Sequence, residues 1–412
     1  MSADDPPDAS GHPVRPRSER SLVAILAAIT AVGPGSVNIY LPALPVLREH
    51  FATDAPHVQL TMSVALLAFS AGLLIHGPLS DRLGRRPIIL VGLAIFTIGS
   101  LMCFVAPTLQ WLIVGRAIQA FGTSAGLIVS RAIVNDLYPR EKMARMIAWL
   151  TMVTVIVPTL APWLGGKLIV VAGWESVFAL LVAVGVVTLW VAWRWLPETR
   201  PSHHQQADHH AVLAEATYLL RQRAFVGYAL QGAIVLAVFF VFVSTMPYVM
   251  VSAYHRAPSE FGSYYLLVAS GYFLGNWSVT RRHGRASPQV LIQTGLWISI
   301  GAAAFALLAV ALGAAGPLWI FASMAVLTFG QGLTLPNVTA SAVSLARQHA
   351  GTSSSLLAFV QQVVGAICVQ WVSTYPVDTA YPTLIFCVAM CVLALALWRL
   401  FPRPSPLVAS RT

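Results

Sequence analysis

The sequence predicts an all-α polytopic membrane protein, on three observations. Hydrophobic residues fill 57% of its 412 positions and charged residues 10%, against about 45–50% and about 25% in an average soluble domain. Apolar stretches of about 20 residues recur along the chain, each long enough to cross a hydrocarbon core of ~30 Å. Glycine (29 residues) and proline (26) are plentiful, as is usual where helices span a bilayer. With a mean hydropathy of +0.73, this composition excludes a soluble enzyme, a nucleic-acid binder and a disordered scaffold.

Twelve spans are expected, near 22–46, 58–79, 86–106, 109–132, 146–171, 174–194, 224–251, 259–280, 288–313, 316–343, 351–373 and 379–401. The first follows a polar, proline-rich tail with Arg15, Arg17 and Arg20 and no small-residue cleavage site, so the tail reads as cytoplasmic and not as a secretory signal. Basic residues then recur after every second span: Arg82, Arg85 and Arg86; Arg140, Lys142 and Arg145; Arg200, Arg221 and Arg223; Arg281, Arg282 and Arg285; Arg347; and Arg399, Arg403 and Arg411. The opposite loops hold only Arg48, Lys167 and Arg256. By the positive-inside rule both termini are cytoplasmic, which requires an even number of spans. The net charge of +10 is therefore read as setting orientation and not as binding a polyanion.

A polar stretch at 197–223 divides the chain into a tail (1–20), a six-helix bundle (21–196), a cytoplasmic linker, a second six-helix bundle (224–402) and a short C-terminal tail (403–412). The halves look related. Gly77-Pro-Leu-Ser80-Asp81-Arg82-Leu-Gly84-Arg85-Arg86 ends the second span, and Gly275-Asn-Trp-Ser278-Val-Thr-Arg281-Arg282-His-Gly284-Arg285 ends the eighth. Glycine-rich stretches in the fourth span (Gly115 to Gly126) and the tenth (Gly330 to Ser341) also correspond. Duplicated bundles of this kind build alternating-access carriers, with the substrate site between the halves near the midplane.

Arginines alone would fit a merely basic loop, but Gly77, Ser80-Asp81-Arg82 and Gly84-Arg85-Arg86 in that order carry more. The stretch resembles the signature between the second and third helices of the major facilitator superfamily, and the resemblance covers residues 20–402. Arg116-Ala-Ile-Gln119-Ala-Phe-Gly122 is similar to the fourth-helix RxxQG pattern of the drug:proton antiporter group, with Ala120 where glycine is usual. Ala161-Pro162-Trp-Leu-Gly165-Gly166, following Pro158, resembles its fifth-helix antiporter motif, with alanine replacing the first glycine. Asn38-Ile-Tyr40-Leu-Pro42-Ala-Leu-Pro45 resembles the first-helix stretch of bicyclomycin- and chloramphenicol-resistance exporters. The resemblance implies a major facilitator fold of two pseudo-symmetric six-helix bundles. It also implies a multi-pass location in the bacterial inner membrane, and efflux of small amphipathic drugs driven by the proton gradient by a monomer without cofactor or nucleic-acid partner. In that reading the Gly77–Arg86 loop (with Ser80, Asp81, Arg82, Gly84 and Arg85) gates the cytoplasmic end, and Pro158, Pro162, Gly165 and Gly166 seal the outer end.

Arg116 lies well inside its span, where arginine costs at least about 2.5–3.5 kcal/mol, so it is expected to face the bundle interior. The resemblance gives it the coupling role. Asn38 departs from the family, which commonly has an aspartate there, and asparagine cannot titrate. None of the fifteen acids lies clearly in mid-membrane, so proton coupling comes from the resemblance alone. His76, Glu175, Asp81 or the substrate's own proton are the candidates left, with uncoupled export as the remaining alternative. Asn38, Tyr40, Arg116, Gln119, Tyr248, Asn337 and Gln361 are the expected site residues. Phe239, Phe242, Tyr272, Trp297 and Gln331 are further candidates to border the cavity.

Cys103, Cys368, Cys387 and Cys391 sit in apolar runs without a CxxC pair, and His203, His204, His209 and His210 lie in a linker read as polar and flexible, so no metal site is expected. No Walker loop is present to supply ATP chemistry. Two other readings stay open on the sequence: an exporter of an endogenous metabolite or siderophore, and a membrane sensor that binds without transporting.

Overall fold

A computed structural model describes residues 19–200, 209–281, 286–313, 316–345 and 350–401. The ends of both expected tails, His203 and His204, the close of the second basic loop at Arg282, Gly284 and Arg285, and Arg347 lie outside the described residues. The N-terminal half comprises α1 (Glu19–Ile39), α2 (Leu44–His50), α3 (Ala55–Leu83), α4 (Arg85–Phe104), α5 (Leu109–Leu137), α6 (Arg140–Ala172) and α7 (Glu175–Trp195). After α8 (His209–Arg221) come α9 (Arg223–Ser252), α10 (Pro258–Arg281), α11 (Pro288–Ala311), α12 (Pro317–Leu345), α13 (Ala350–Ser373) and α14 (Tyr381–Leu400).

Eleven helical stretches among the described residues are long and apolar enough to cross a membrane. The twelfth span is α10, of 24 residues, whose Ser263, Tyr264, Tyr265, Ser270, Tyr272 and Asn276 lower its hydropathy while it packs between α6 and α12. Tyr265, Tyr272 and Asn276 face protein, where polar groups can be satisfied, and the exposed Ser270 hydroxyl donates to the Leu267 carbonyl.

Two expectations need correction. The first span covers Ser21–His50, but not as one regular helix: α1 stops at Ile39, a 3-10 turn covers Leu41–Ala43, and α2 restarts at Leu44. Pro42 and Pro45 lack the N–H that an unbroken helix needs at those positions, and each disfavours helical backbone in the residue before it. The linker is also more than a flexible loop. Its Ala211-Val-Leu-Ala-Glu215-Ala run consists largely of strong helix formers and lies in α8, which buries Leu219 and accepts a 2.7 Å hydrogen bond from Thr352 on Glu215 Oε2.

Helix packing repeats between the halves. In the first, α5 lies against α3 and α4, α1 against α6, and α4 against α7; in the second, α12 lies against α10 and α11, α9 against α13, and α11 against α14. The closest approaches repeat as well. A Cβ on Gly92 would fall 2.8 Å from the Gly122 carbonyl oxygen and one on Gly122 only 2.5 Å from that of Gly92; Gly295 and Gly330 meet in the same way at 2.4 Å. Such contacts drive helix association where lipid removes the hydrophobic incentive. Between the halves, α3 meets α13 and α6 meets α10, a symmetric pair of seams.

The apolar core is not uniform along the helix axes. Toward the ends remote from the termini one cluster holds residues of both halves, including Tyr40, Val58 and Phe178 with Phe242, Phe261 and Phe321. Toward the termini it splits into two clusters, one from Leu22 to Leu196 and the other from Leu219 to Trp398. The halves are therefore fused at the far end and parted at the terminus-bearing end.

Candidate functional site

Arg116 is 1% exposed, on α5. Its Nη1 donates to Gln119 Oε1 at 2.5 Å and to the Ser36 carbonyl at 3.3 Å, and its guanidinium carbon stands 3.9 Å from the Tyr40 ring centroid. Gln119, one turn along, donates through Nε2 to Ser100 Oγ of α4 at 2.8 Å. Among the described residues no carboxylate pairs with this cation. An aromatic face and oriented dipoles take that place, a cation–π contact being worth about 2 kcal/mol when desolvated. The Nε and Nη2 of Arg116 have no hydrogen-bond partner in the protein. Tyr40, Arg116 and Gln119 thus form one cluster tying α1, α4 and α5 together.

A cavity of about 340 Å³ lies between the halves, lined by Asn38, by Thr151, Thr154, Pro158 and Thr159 of α6, by Phe239 of α9, by Tyr265 and Tyr272 of α10, by Gln331 of α12, and by aliphatic residues. Ser36 and Tyr40 face Arg116, and Asn38, between them in sequence, turns to the cavity. The Tyr265 hydroxyl donates to Asn38 Oδ1 at 3.3 Å, joining the halves, while Asn38 Nδ2 donates to the Pro34 carbonyl at 2.8 Å. Gln331 Nε2 is held by the Val235 carbonyl at 2.9 Å. No Asp, Glu, Lys, Arg or His is on this lining. Arg116 is not on this lining; its guanidinium lies over the Tyr40 ring.

The other expected site residues lie elsewhere. Tyr248 is buried in the far-end apolar cluster, Asn337 donates to the Leu333 carbonyl at 2.8 Å, and Gln361 packs on Gly232. Phe239, Tyr272 and Gln331 do line the cavity; Phe242 instead stacks on Phe321, and Trp297 is half exposed on the outside of the bundle. Sequence reasoning missed Tyr265, Thr151 and Thr154. The threonines were discoverable: with Pro158 they form a polar stripe at i, i+3 and i+7 of one helix face.

Of the expected sealing residues, the Pro162–Gly166 part joins the halves at the far end, whereas Pro158 lines the cavity. A Cβ on Gly165 would lie 1.8 Å from the Ile39 carbonyl oxygen, and one on Gly166 would lie 2.8 Å from Ser259 Cα on α10. Reciprocally, a Cβ on Gly262 would lie 2.3 Å from Trp163 Cα. The halves are further joined there by Gln59 Nε2 to the Ser244 carbonyl (2.8 Å), Ser63 Oγ to Gln370 Oε1 (3.1 Å) and Arg48 to Asp378 (3.3 Å).

At the terminus-bearing end the Gly77–Arg86 stretch is a charge cluster within one half. Buried Arg85 donates through Nε to Asp136 at 2.9 Å and through Nη1 to Ser80 Oγ at 2.7 Å, and it pairs with Asp81. Glu198, beyond α7, accepts the backbone N–H groups of Arg85 (2.9 Å) and Arg86 (3.2 Å). It caps the first turn of α4, where exposed N–H groups favour a carboxylate. Gly84 has φ +105°, and a Cβ there would lie 2.6 Å from Glu198 Oε2. Gly77 packs near Ile128, and Arg82 is exposed. Asp136, close in sequence to Arg131, thus pairs with Arg85. Of the candidate titrating groups, His76 is buried with Nδ1 2.8 Å from Ser124 Oγ, Asp81 is in this cluster, and Glu175 opens α7.

The four cysteines are unpaired, and no group of three or more potential metal ligands occurs among the described residues.

A family profile described as Major Facilitator Superfamily matches residues 26–369. The chain is 29% identical to multidrug resistance protein D of Escherichia coli over 83% of this chain and 86% of that one. It is 28% identical to a chloramphenicol resistance protein of Pseudomonas aeruginosa, covering 91% and 89%. In fold it matches the crystal structure of a bacterial homolog of the human lysosomal transporter Spinster, with a TM-score of 0.74 at 18% identity over 94% of this chain and 99% of that one.

Proposed function

The chain belongs to the Major Facilitator Superfamily, a family of transporters and not of enzymes, and on that premise we propose that it exports small, uncharged amphipathic compounds by alternating access. The observation that carries this reading is the cavity between the halves: aromatic, hydroxyl and amide groups, no formal charge on the lining, with the glycine contacts of α6 and α10 at the far end beyond it. Moving an ion into such a lining leaves its charge without a partner, whereas a neutral molecule with a few polar groups finds hydrogen bonds on apolar walls. Buried, positive Arg116 adds a further cost for cations. The drug-resistance names of the relatives favour antibiotics such as phenicols as the compounds carried.

In this reading both termini face the cytoplasm of a bacterial cell, the multi-pass chain sits in the inner membrane, and it works as a monomer without cofactor. Substrate enters at the terminus-bearing end and displaces ordered contacts at Asn38 and Tyr265. The halves rock, the Gly262–Trp163 seal parts, and the Asp81–Arg85 loop engages the other half as the cytoplasmic end closes. Arg116 links α1 at Ser36 and Tyr40 to α5, so movement of α1 on substrate binding reaches the core of the first half. The proton gradient supplies the energy by antiport. With Asn38 in the family's acid position, the proton is carried away from the cavity lining, by His76, Glu175 or Asp81.

The test is accumulation of labelled chloramphenicol in efflux-deficient cells. Wild type is expected to lower accumulation, a protonophore to abolish the difference, and Arg116→Ala at equal membrane abundance to match the empty vector. Accumulation equal to the empty vector in the wild type contradicts export; insensitivity to the protonophore contradicts antiport.

A further inference from the structure

A second, smaller cavity of about 260 Å³ lies on the outside of the bundle between α6 and α10, lined by Val155, Ile156, Thr159 and Leu160 on one side and by Leu266, Ala269, Ser270 and Phe273 on the other. Val155, Thr159 and Ala269 also line the central cavity. The two spaces therefore share a wall only one side chain thick. The outer rim is exposed: Leu160 is 51% and Phe273 52% accessible.

We propose that this groove is a lateral portal through which uncharged molecules dissolved in the bilayer core enter the central cavity. The inference rests on the reading of that cavity as the transport site.

Three features fit a passage better than a packing defect. First, α6 and α10 are in backbone contact at Trp163–Gly262 and Gly166–Ser259. The groove opens one turn below that contact, as two helices that cross at the far end and diverge toward the termini would produce. Second, its only hydroxyls are already satisfied: Thr159 Oγ1 donates to the Val155 carbonyl and Ser270 Oγ to the Leu267 carbonyl, each at 2.7 Å. The groove thus offers no free hydroxyl donor, and a solute without charge passes at little desolvation cost. Third, the symmetric seam is filled. On α3, Phe69 and Leu73 pack with Ala358 of α13 in a closed apolar cluster.

The portal can be closed reversibly. With Cys368→Ala to remove the one half-buried native thiol, Ile156→Cys and Ser270→Cys, which line the groove and not the central cavity, are bridged by a bifunctional thiosulfonate in phosphatidylcholine liposomes. Nile red, neutral and held in the bilayer, reports entry as chloramphenicol-displaceable fluorescence; chloramphenicol affinity is followed by tryptophan quenching and controls for the fold. Bridging is expected to slow Nile red association about tenfold while chloramphenicol affinity stays within about twofold, and a reductant restores the rate. Unchanged Nile red association after complete bridging, or equal loss of both probes, overturns the portal. Chloramphenicol binding with no displaceable Nile red signal before bridging overturns the portal alone, whereas no saturable binding of either probe overturns the reading of the cavity itself.

Discussion

The two seams between the halves are related by the pseudo-symmetry of the fold, yet they are closed by different means. Along α3 and α13 the closure is made by side chains: Ser63 donates to Gln370, Gln370 donates to the Pro56 carbonyl at 3.0 Å, and Phe69 and Leu73 continue the contact toward the termini. Along α6 and α10 the closest approach is made by backbone, at glycines, and a groove opens beside it one turn away. Hydrogen bonds are directional and leave unsatisfied groups when separated. Apposed glycine surfaces lose only dispersion contacts when they part. One helix pairing, repeated by duplication, is thus bonded through side chains on one side and closed by apposed glycine backbone on the other. Symmetry of fold does not impose symmetry of function.

The comparison can be broken most decisively at Gly262. Gly262→Leu would drive a side chain into Trp163 Cα at 2.3 Å and the Pro162 carbonyl oxygen at 2.6 Å, both backbone atoms that cannot yield. The expected cost is about 1–3 kcal/mol, read as a lowered thermal midpoint in detergent, together with loss of chloramphenicol export. An unaltered midpoint with normal export would remove the seal from the account. The other seam is tested by Gln370→Ala, which deletes its bonds to Ser63 and Pro56. A loss of about 1 kcal/mol is expected, with export reduced and not abolished. A larger effect here than at Gly262 would invert the ranking of the two seams.

The smallest effect is at the far-end turn leading into α3. Asp54 caps that helix, accepting the His57 N–H at 3.0 Å. This bond and the His57 ring hold its carboxyl below the usual carboxylate range. A lowered folded-state value means the cap contributes above the unfolded pKa of about 3.9 and is lost as pH falls through the folded value. The thermal midpoint of wild type relative to Asp54→Asn should accordingly be constant above about pH 5 and converge below about pH 4. A difference that grows on acidification would contradict the cap.

Much of this architecture was legible in the sequence, because apolar length and arginine placement are one-dimensional signals. Hydropathy reads straight through the break at Pro42 and Pro45, though both prolines were visible. At the site, Asn38, Tyr272 and Gln331 could be chosen as polar groups in apolar spans, but the same rule chose Asn337 and Gln361. A polar residue in a span must face protein, and most protein interior is not cavity: the Asn337 amide is satisfied by a carbonyl one turn back. Glu198 shows the other limit. Its contact with Arg85 joins residues 113 positions apart, and no local pattern announces it.

The central claim, that the cavity selects uncharged substrates, is tested most directly by counterflow in proteoliposomes, which needs no coupling ion. Chloramphenicol, neutral, is compared with tetraphenylphosphonium, a permanent cation. Wild type is predicted to exchange chloramphenicol at least about tenfold faster, since an unpaired charge on this lining costs well over the ~1.4 kcal/mol that tenfold represents. Asn38→Asp, which puts a carboxylate on the wall, is predicted to raise exchange of the cation. Equal exchange of the two compounds by wild type would contradict the account.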